Sequence, residues 1–422
     1  MKTFTTYNLG CKVNAYELSA ISSLLLKEGF KEDNANPDVV IINTCSVTAT
    51  ADQKSRQHIR KMQKLFPNAV IAVMGCYSQG NYKFIEEEIK PTILLGTSHR
   101  RDVIDLIKKA LATKENYTVV EEKTRDFEYE ELGITSYTEN VRAFLKIQDG
   151  CNNFCTYCIV PYRRGKMRSR KKDNVINEAK YLVKQGYQEI VLSGIHVGGY
   201  GQDLENCSFS SLVEELTNIE GLKSIRISSI EESEIDDKLI ELIQKKDNLA
   251  KHLHIPLQSG SNHVLKMMGR KYTREQFISR IKQIKQLVPN VMISGDVIVG
   301  FPQESEQDFM DSYSLCEECF DMLHVFPYSM RPGTVAARMD GQISPEVKKE
   351  RSRKLLELSD RLYAKYANRF IGQDVTVLIE KYDEKQQAFI GHTSNYLEVK
   401  ILEESRVGEY KVVKLQKSMI IS

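Results

Sequence analysis

The stretch Gly150–Arg170, GCNNFCTYCIVPYRRGKMRSR, packs Cys151, Cys155 and Cys158 into a C-x3-C-x2-C array with no fourth cysteine nearby. A tetrahedral zinc site or an ordinary iron–sulfur cluster wants four ligands. Three thiolates on a four-iron cube leave one iron bare, much as a catalytic zinc site keeps one position open for substrate. The candidate occupant is S-adenosylmethionine (SAM), whose amino and carboxylate groups can chelate that iron. An electron from the cluster then cleaves the sulfonium to a deoxyadenosyl radical, chemistry that belongs to the cofactor rather than the protein. The competing readings are a zinc knuckle with a distant fourth ligand, or three structural cysteines.

A second set of three is hidden by sequence distance. Cys11, Cys45 and Cys76 each close a strand-like run, TYNLGC, VVIINTC and VIAVMGC. A β-α unit is about 30 residues long, so the three recur at one height on successive parallel strands. They would then emerge together at the carboxyl edge of a sheet, where open α/β folds bind ligands. Gly10 and Gly75 precede two of them and would let the backbone come close to a ligand. Buried cysteines are common in parallel strands, which is the plain alternative. Two open clusters divide labour: one makes a radical, the other holds a sulfur atom for delivery to a carbon. Activation of a C–H bond followed by sulfur insertion is the implied reaction.

The elements that must position these thiols follow from periodicity. Residues 1–115 alternate apolar strands with helices, which predicts an open parallel sheet covered on both faces. Residues 116–140 are polar and acidic and read as a linker. Residues 141–343 resume the alternation with six strand candidates, AFLKIQ, EIVLSG, SIRISSI, HLHIPLQ, VMISGDVIVG and MLHVFPYS. Six steps fall short of the eight of a closed barrel, so a partial (β/α)6 barrel is expected, with reactive groups at the carboxyl ends of its strands. Residues 344–370 predict one connecting helix, with Ser344 as N-cap and Pro345 at its first position. Residues 371–422 switch to a period of two and predict a small antiparallel β-barrel. The fold class is α/β.

Composition excludes several classes. The 422 residues are 41% hydrophobic and 27% charged, an ordinary globular balance. A net charge of +2 gives no bulk argument for nucleic acid. No apolar run approaches the roughly 20 residues of a membrane span, and the N-terminus lacks a secretory pattern. A cytoplasmic setting without membrane contact is expected, where thiols stay reduced. Nine cysteines, an odd number, then read as metal ligands plus buried thiols.

The motifs NLGCKVNAYE, NTCSVTATADQKSRQ, GCNNFCTYCIVPYRRG, VLSGIHVGGYG, HIPLQSGSNHVLKMMGRKY, DVIVGFPQES and HVFPYSMRPGT span nearly the whole chain. Together they resemble the radical-SAM methylthiotransferases. The resemblance implies an N-terminal cluster domain, a radical-SAM partial barrel and a C-terminal TRAM β-barrel. It implies that Cys11, Cys45 and Cys76 hold an auxiliary 4Fe–4S cluster and that Cys151, Cys155 and Cys158 hold the radical one. The family replaces an aromatic C–H by a methylthio group on tRNA adenosine, and one branch modifies a ribosomal-protein aspartate instead. GCKVN and NTCSVTATAD look like the branch acting on N6-threonylcarbamoyladenosine beside the anticodon. The isopentenyladenosine branch carries a different residue pair before that first Asn. A bacterial-type form without the C-terminal membrane anchor of some eukaryotic relatives is expected. The expected enzyme makes the 2-methylthio derivative, one SAM giving the methyl and a second the radical, with an external electron donor and a sulfur source. The rivals are the other two branches, and an iron–sulfur protein that binds tRNA or carries electrons without catalysis.

Secondary candidates rest on position and resemblance. Ser193 and Gly194, in a glycine-rich turn, are placed to hold the methionine end of SAM, and Gln258 and Gly300 its ribose and adenine. Ser193 stands where relatives often carry Thr. Tyr157, inside the cysteine array, is a further cofactor contact. The basic run after the array supplies Arg163, Arg164, Lys166, Arg168 and Arg170 as expected tRNA contacts, since phosphate contacts dominate nucleic-acid affinity. A solvated loop is the alternative. His252 and His254 alternate on one strand and share a face; satisfied core histidines are the favoured reading. Cys207, Cys316 and Cys319 read as structural. Phe389, Tyr396 and Tyr410 suit either base stacking or core packing.

Overall fold

The computed structural model describes residues 1–121, 128–133 and 141–421. Its first unit is a six-stranded sheet of β1 (Thr3–Asn8), β2 (Lys31–Glu32), β3 (Val39–Thr44), β4 (Val70–Gly75), β5 (Ile93–Leu95) and β6 (Tyr117–Val119). The order is β2-β1-β3-β4-β5-β6, every pair parallel. β3 and β4 are buried throughout, as continuous apolar runs covered on both faces require. Phe4, Val39 and Ala72 pack on one face with Leu18, Ile21 and Ile107; Val40, Ile42 and Val73 pack on the other with Ile59 and Met62. Two strands escape the periodicity reading. β2 is a two-residue edge, and β6 lies inside the expected linker, so the sheet runs past the boundary drawn at 115.

The expected linker is also packed where it is described. Leu132 is 4% exposed within the central core, and the Tyr129 hydroxyl donates to the Lys146 carbonyl at 2.9 Å. The rest of that segment, 122–127 and 134–140, lies outside the described residues.

The central unit carries β7 (Arg142–Lys146), a short antiparallel pair β8 (Gln148–Asp149) and β9 (Arg168–Ser169), then β10 (Glu189–Ser193), β11 (Ser224–Ile227), β12 (His252–His254), β13 (Met292–Val299) and β14 (Met322–Pro327). β7-β10-β11 and β12-β13-β14 are two three-stranded parallel sheets. One parallel bridge, Ile225 to Leu249, joins them. All six expected strands are present. The central core includes Tyr16 and Ala20 from the helix Lys12–Lys27, which docks the first sheet onto the second unit.

The connecting helix is Pro345–Asn368, capped by the Ser344 hydroxyl, which accepts from Val347 N at 3.4 Å. Its 24 residues make a rod of about 36 Å. Leu355 and Leu358 pack into the central core, while Tyr363 and Tyr366 pack into the last one. That last unit is a four-stranded antiparallel sheet in the order β17-β16-β15-β18, from β15 (Asp374–Asp383), β16 (Ala388–Thr393), β17 (Glu398–Ile401) and β18 (Tyr410–Lys414).

Candidate active site

Cys45 and Cys76 directly follow β3 and β4, whose ends pair Thr44 with Gly75, so the two cysteines leave the sheet at one level. Cys11 follows β1 and caps the helix Lys12–Lys27. All three therefore stand at the carboxyl edge of the first sheet, as their spacing predicts. Gly75 has φ +107°, and a Cβ there would lie 2.3 Å from Asn43 Oδ1. Only glycine lets the chain turn there into the helix Cys76–Phe84. Burial, reinforced by the neighbouring Cys76 and Cys11 thiols, pushes Cys45 up to about 11. Burial also raises Cys76, against the pull of Arg164.

The second set sits in the loop after β8. Gly150 has φ +72°, and a Cβ on it would meet the Lys166 carbonyl oxygen at 2.0 Å. This close approach folds the loop back, and Cys151 N donates to the Gly165 carbonyl. Burial pushes Cys158 up to about 12, with Cys155 and Cys151 adding to it. Among the described residues, no three His, Cys, Asp or Glu side chains form a site for a single metal ion.

Each set has its own guanidinium. Arg270 Nη1 donates to Cys155 Sγ at 3.6 Å and is ion-paired with Glu231. Arg164 Nε donates to Cys76 Sγ at 3.2 Å. Arg164 lies six positions after Cys158, so one short helix, Val160–Arg164, links the two thiol sets. Its Nη2 donates to Asn14 Oδ1 at 3.2 Å, and that oxygen also accepts from Cys11 Sγ. Asn14 Nδ2 in turn donates to Asn43 Oδ1 and the Thr44 carbonyl. His196, ion-paired with Glu234 at 2.5 Å, stands beside Cys151; burial opposes its charge, yet Cys151 and Glu234 raise it to about 10.

Beneath this junction lies a buried charge cluster. Glu17 and Asp149 face Arg100, Lys146 and Arg164, all five at most 2% exposed. Burial opposes both carboxylates, but the three cations hold Glu17 and Asp149 well below the usual carboxylate range. The cluster pins helix, loop and barrel strand together.

This overturns most of the expected tRNA contacts. Arg164 is fully buried in that cluster. Arg168 is buried, donating to the Arg164 and Lys166 carbonyls and paired with Asp149 at 3.3 Å. Arg170 is buried between Glu131 and Glu178. Only Lys166 is exposed, and Arg163 is half-buried, its carbonyl accepting from Thr97 Oγ1. A run of basic letters does not distinguish guanidiniums in solvent from guanidiniums answering buried carboxylates.

A cavity of about 520 Å³ opens where the three units meet, within the range of small-molecule sites. Cys11 and Lys12 line it from the first sheet, Ser193, Arg226, His254 and Asp296 from the central unit, and Tyr396 from the last. Ser193 and Gly194 stand on this lining, and Ser193 Oγ is buried without a partner among the described residues. Tyr157, Gln258 and Gly300 do not line it. Tyr157 packs beside Val264, Met268 and Phe301. Gln258, at φ +64°, pairs its backbone with Asp296 and Ile298. Gly300 is closed off by Lys348, whose Cγ would lie 2.3 Å from a Cβ.

His252 and His254 share a face but are not simply core. His254 Nε2 meets Asp296 Oδ1 at 3.1 Å, and both histidines reach Ser294 Oγ. Burial, then Arg226, pushes His252 well down, so it is neutral. It stacks on Tyr396, centroids 4.4 Å apart and planes at 6°. Tyr396 is thus spent between units, while Phe389 packs with the last core and Tyr410 lines a separate groove with Glu189 and Ser224. Cys316 and Cys319 are core thiols and Cys207 packs beside that core, as expected.

Lys12, Arg226, Asp296, His324, Arg270 and His196 escaped the sequence reading. Asp296 and His324 had a signal, since they face each other in register on adjacent strands. Arg270 and Arg226 had none, because their partners are far away in the chain. Lys12 lines the cavity with its surface open while protein surrounds it; that enclosure, then Arg226 and Arg142, lowers its pKa.

Comparisons with known proteins agree with this geometry. The Radical SAM superfamily model matches residues 145–316, and the model described as Uncharacterized protein family UPF0004 matches residues 3–96. The threonylcarbamoyladenosine tRNA methylthiotransferase MtaB of Bacillus subtilis is 44% identical over 99% of this chain and 94% of its own length. The MtaB of Aquifex aeolicus is 35% identical over 98% of each chain. The tRNA-2-methylthio-N(6)-dimethylallyladenosine synthase of Acetivibrio thermocellus is 36% identical over 93% of this chain and 84% of its own. Among solved structures, the radical S-adenosylmethionine methyltransferase TsrM of Kitasatospora setae superposes with a TM-score of 0.59 over 80% of this chain and 74% of that one, at 12% identity, a likeness of fold. Thiol sets, strand order and relatives converge: the chain belongs to the radical-SAM methylthiotransferases, enzymes that work with a 4Fe–4S cluster and S-adenosylmethionine.

Proposed function

We propose that this chain inserts a methylthio group at C2 of N6-threonylcarbamoyladenosine in tRNA. The observation that carries the reading is the meeting of two three-thiol sets through one short helix, beside a cavity that Cys11 reaches. Greater identity to the MtaB of Bacillus subtilis than to the dimethylallyladenosine enzymes favours this substrate.

In this reading Cys151, Cys155 and Cys158 hold the radical cluster and Cys11, Cys45 and Cys76 an auxiliary 4Fe–4S cluster. A four-iron cube takes each thiolate on a different iron, a wider spacing than the ~2.3 Å shell of one zinc ion. When bound, the radical cluster and SAM supply a deoxyadenosyl radical that removes the ring hydrogen. The chain's own work is placement and charge. Arg270 and Arg164 donate to Cys155 and Cys76, offsetting the negative charge that thiolates bring into a low dielectric. Ser193 and Gly194 border the cavity as SAM contacts. The six central strands form an open arc, and the C-terminal sheet acts as the TRAM-type tRNA module, with 1–119, 141–343, 344–370 and 371–422 as working domains. The electron and sulfur come from outside partners. No helix among the described residues is long and apolar enough to cross a membrane, and a cytoplasmic setting fits a tRNA substrate.

Nucleoside mass spectrometry of tRNA from a deletion strain tests the reading. The 2-methylthio derivative of threonylcarbamoyladenosine should vanish while the isopentenyl-derived nucleoside persists. An unchanged nucleoside profile would refute it.

A further inference from the structure

The cavity holds an ammonium with nothing to answer it. Lys12 opens the helix Lys12–Lys27, lines the cavity beside Cys11, and makes no ion pair or hydrogen bond among the described residues. The other charges on the lining are matched. Asp296 is met by His254 at 3.1 Å and His324 at 4.0 Å. Arg142 pairs with Glu189 and Glu380. Arg226 pairs with Glu189 at 3.5 Å and donates to the carbonyls of Thr393 and Ser394, yet its buried Nε–H has no acceptor. One cation is therefore unspent on the lining, which also carries buried donors without a partner, Arg226 Nε–H and Ser193 Oγ–H among them. The solvent-open ammonium of Lys12 is free to take an anion that enters the cavity, where Arg226 on the lining adds to the positive field.

We propose that Lys12 sets substrate specificity by pairing with the carboxylate on the N6 arm of the adenosine. This rests on the threonylcarbamoyladenosine reading and adds the residue that recognises the arm. The chemistry of the base agrees. C6, which bears N6, and C2 flank the same ring nitrogen, so an arm anchored at Lys12 keeps C2 at the Cys11 end of the cavity. An isopentenyl arm carries no charge and would bury the ammonium without a counter-ion, which selects against it.

The test uses anaerobically loaded enzyme and two tRNAs, one bearing threonylcarbamoyladenosine and one bearing isopentenyladenosine. Rates are read by nucleoside mass spectrometry, and affinity by fluorescence anisotropy of the matching anticodon stem-loops. Lys12→Met, at wild-type iron content, should lose roughly 10- to 100-fold in kcat/KM and in affinity for the threonylcarbamoyl substrate, the worth of one charged hydrogen bond. Its isopentenyl turnover should hold or rise. Lys12→Arg, which keeps the charge and the fold, should stay within about 5-fold. Lys12→Met turnover and affinity within about 2-fold of wild type, or equal losses on both tRNAs, would overturn the proposal. Wild-type enzyme inert on threonylcarbamoyl-tRNA but active on isopentenyl-tRNA would overturn the reading beneath it as well.

Discussion

At the scale of single residues, one position decides whether the radical-cluster loop exists. Gly150 combines φ +72° with a backbone carbonyl where a Cβ would go. Gly150→Ala should cost at least about 1–3 kcal/mol and lower iron content, since the loop must unfold to make room. Gly29→Ala is the control: φ is +83°, but nothing lies within 4 Å, so only the left-handed strain of about 1–2 kcal/mol applies and iron should be unchanged. The basic residues after the loop behave differently from what their letters imply. Arg170→Ala strands Glu178 and should destabilise by about 3–5 kcal/mol in urea titration, while tRNA affinity of the folded fraction stays near wild type. A loss of tRNA affinity with full stability would restore Arg170 as a phosphate contact. The sequence showed six cysteines at telling spacings because strand periodicity and loop arrays are local. It did not show that Arg164 would join the two sets, because nothing local records that its partners are Glu17 and Cys76.

At the scale of elements, the helix Lys12–Lys27 is the hinge of the account. It begins at Cys11 and Lys12, carries Asn14 to the thiols, and sends Glu17 into the buried cluster. Glu17→Gln removes one carboxylate facing Arg100, Lys146 and Arg164, and should cost about 3–5 kcal/mol at pH 7. The pH dependence has a definite sign. Burial opposes the Glu17 carboxylate but its cations lower its pKa below 4.5, so its stabilisation is complete above 4.5 and is lost as pH falls beneath it. Urea midpoints of wild type and Glu17→Gln should therefore converge between neutral pH and about pH 3; a constant gap would contradict this. The strands themselves were legible, since fully apolar runs such as Val39–Thr44 have few alternatives. β2 and β6 were not, being two and three residues long and held by neighbours instead of by pattern.

At the scale of the whole molecule, three units close on one cavity, and this is what the chain could least announce. His252 stacking on Tyr396 joins residues 144 positions apart across two units. The sequence favours a core histidine for His252 and leaves Tyr396 between base stacking and core packing, without saying that the two meet. The acidic stretch read as a linker is partly core, because Glu130 and Glu131 answer Arg100 and Arg170. The central claim is that two independent thiol sets each carry a cluster at this junction. Iron counted in anaerobically purified protein tests it most directly, in wild type, in Cys11→Ala/Cys45→Ala/Cys76→Ala and in Cys151→Ala/Cys155→Ala/Cys158→Ala. The account predicts about eight irons for wild type and about four for each triple variant. Four irons in wild type with none lost from the first triple variant, or zinc in place of iron, would contradict it.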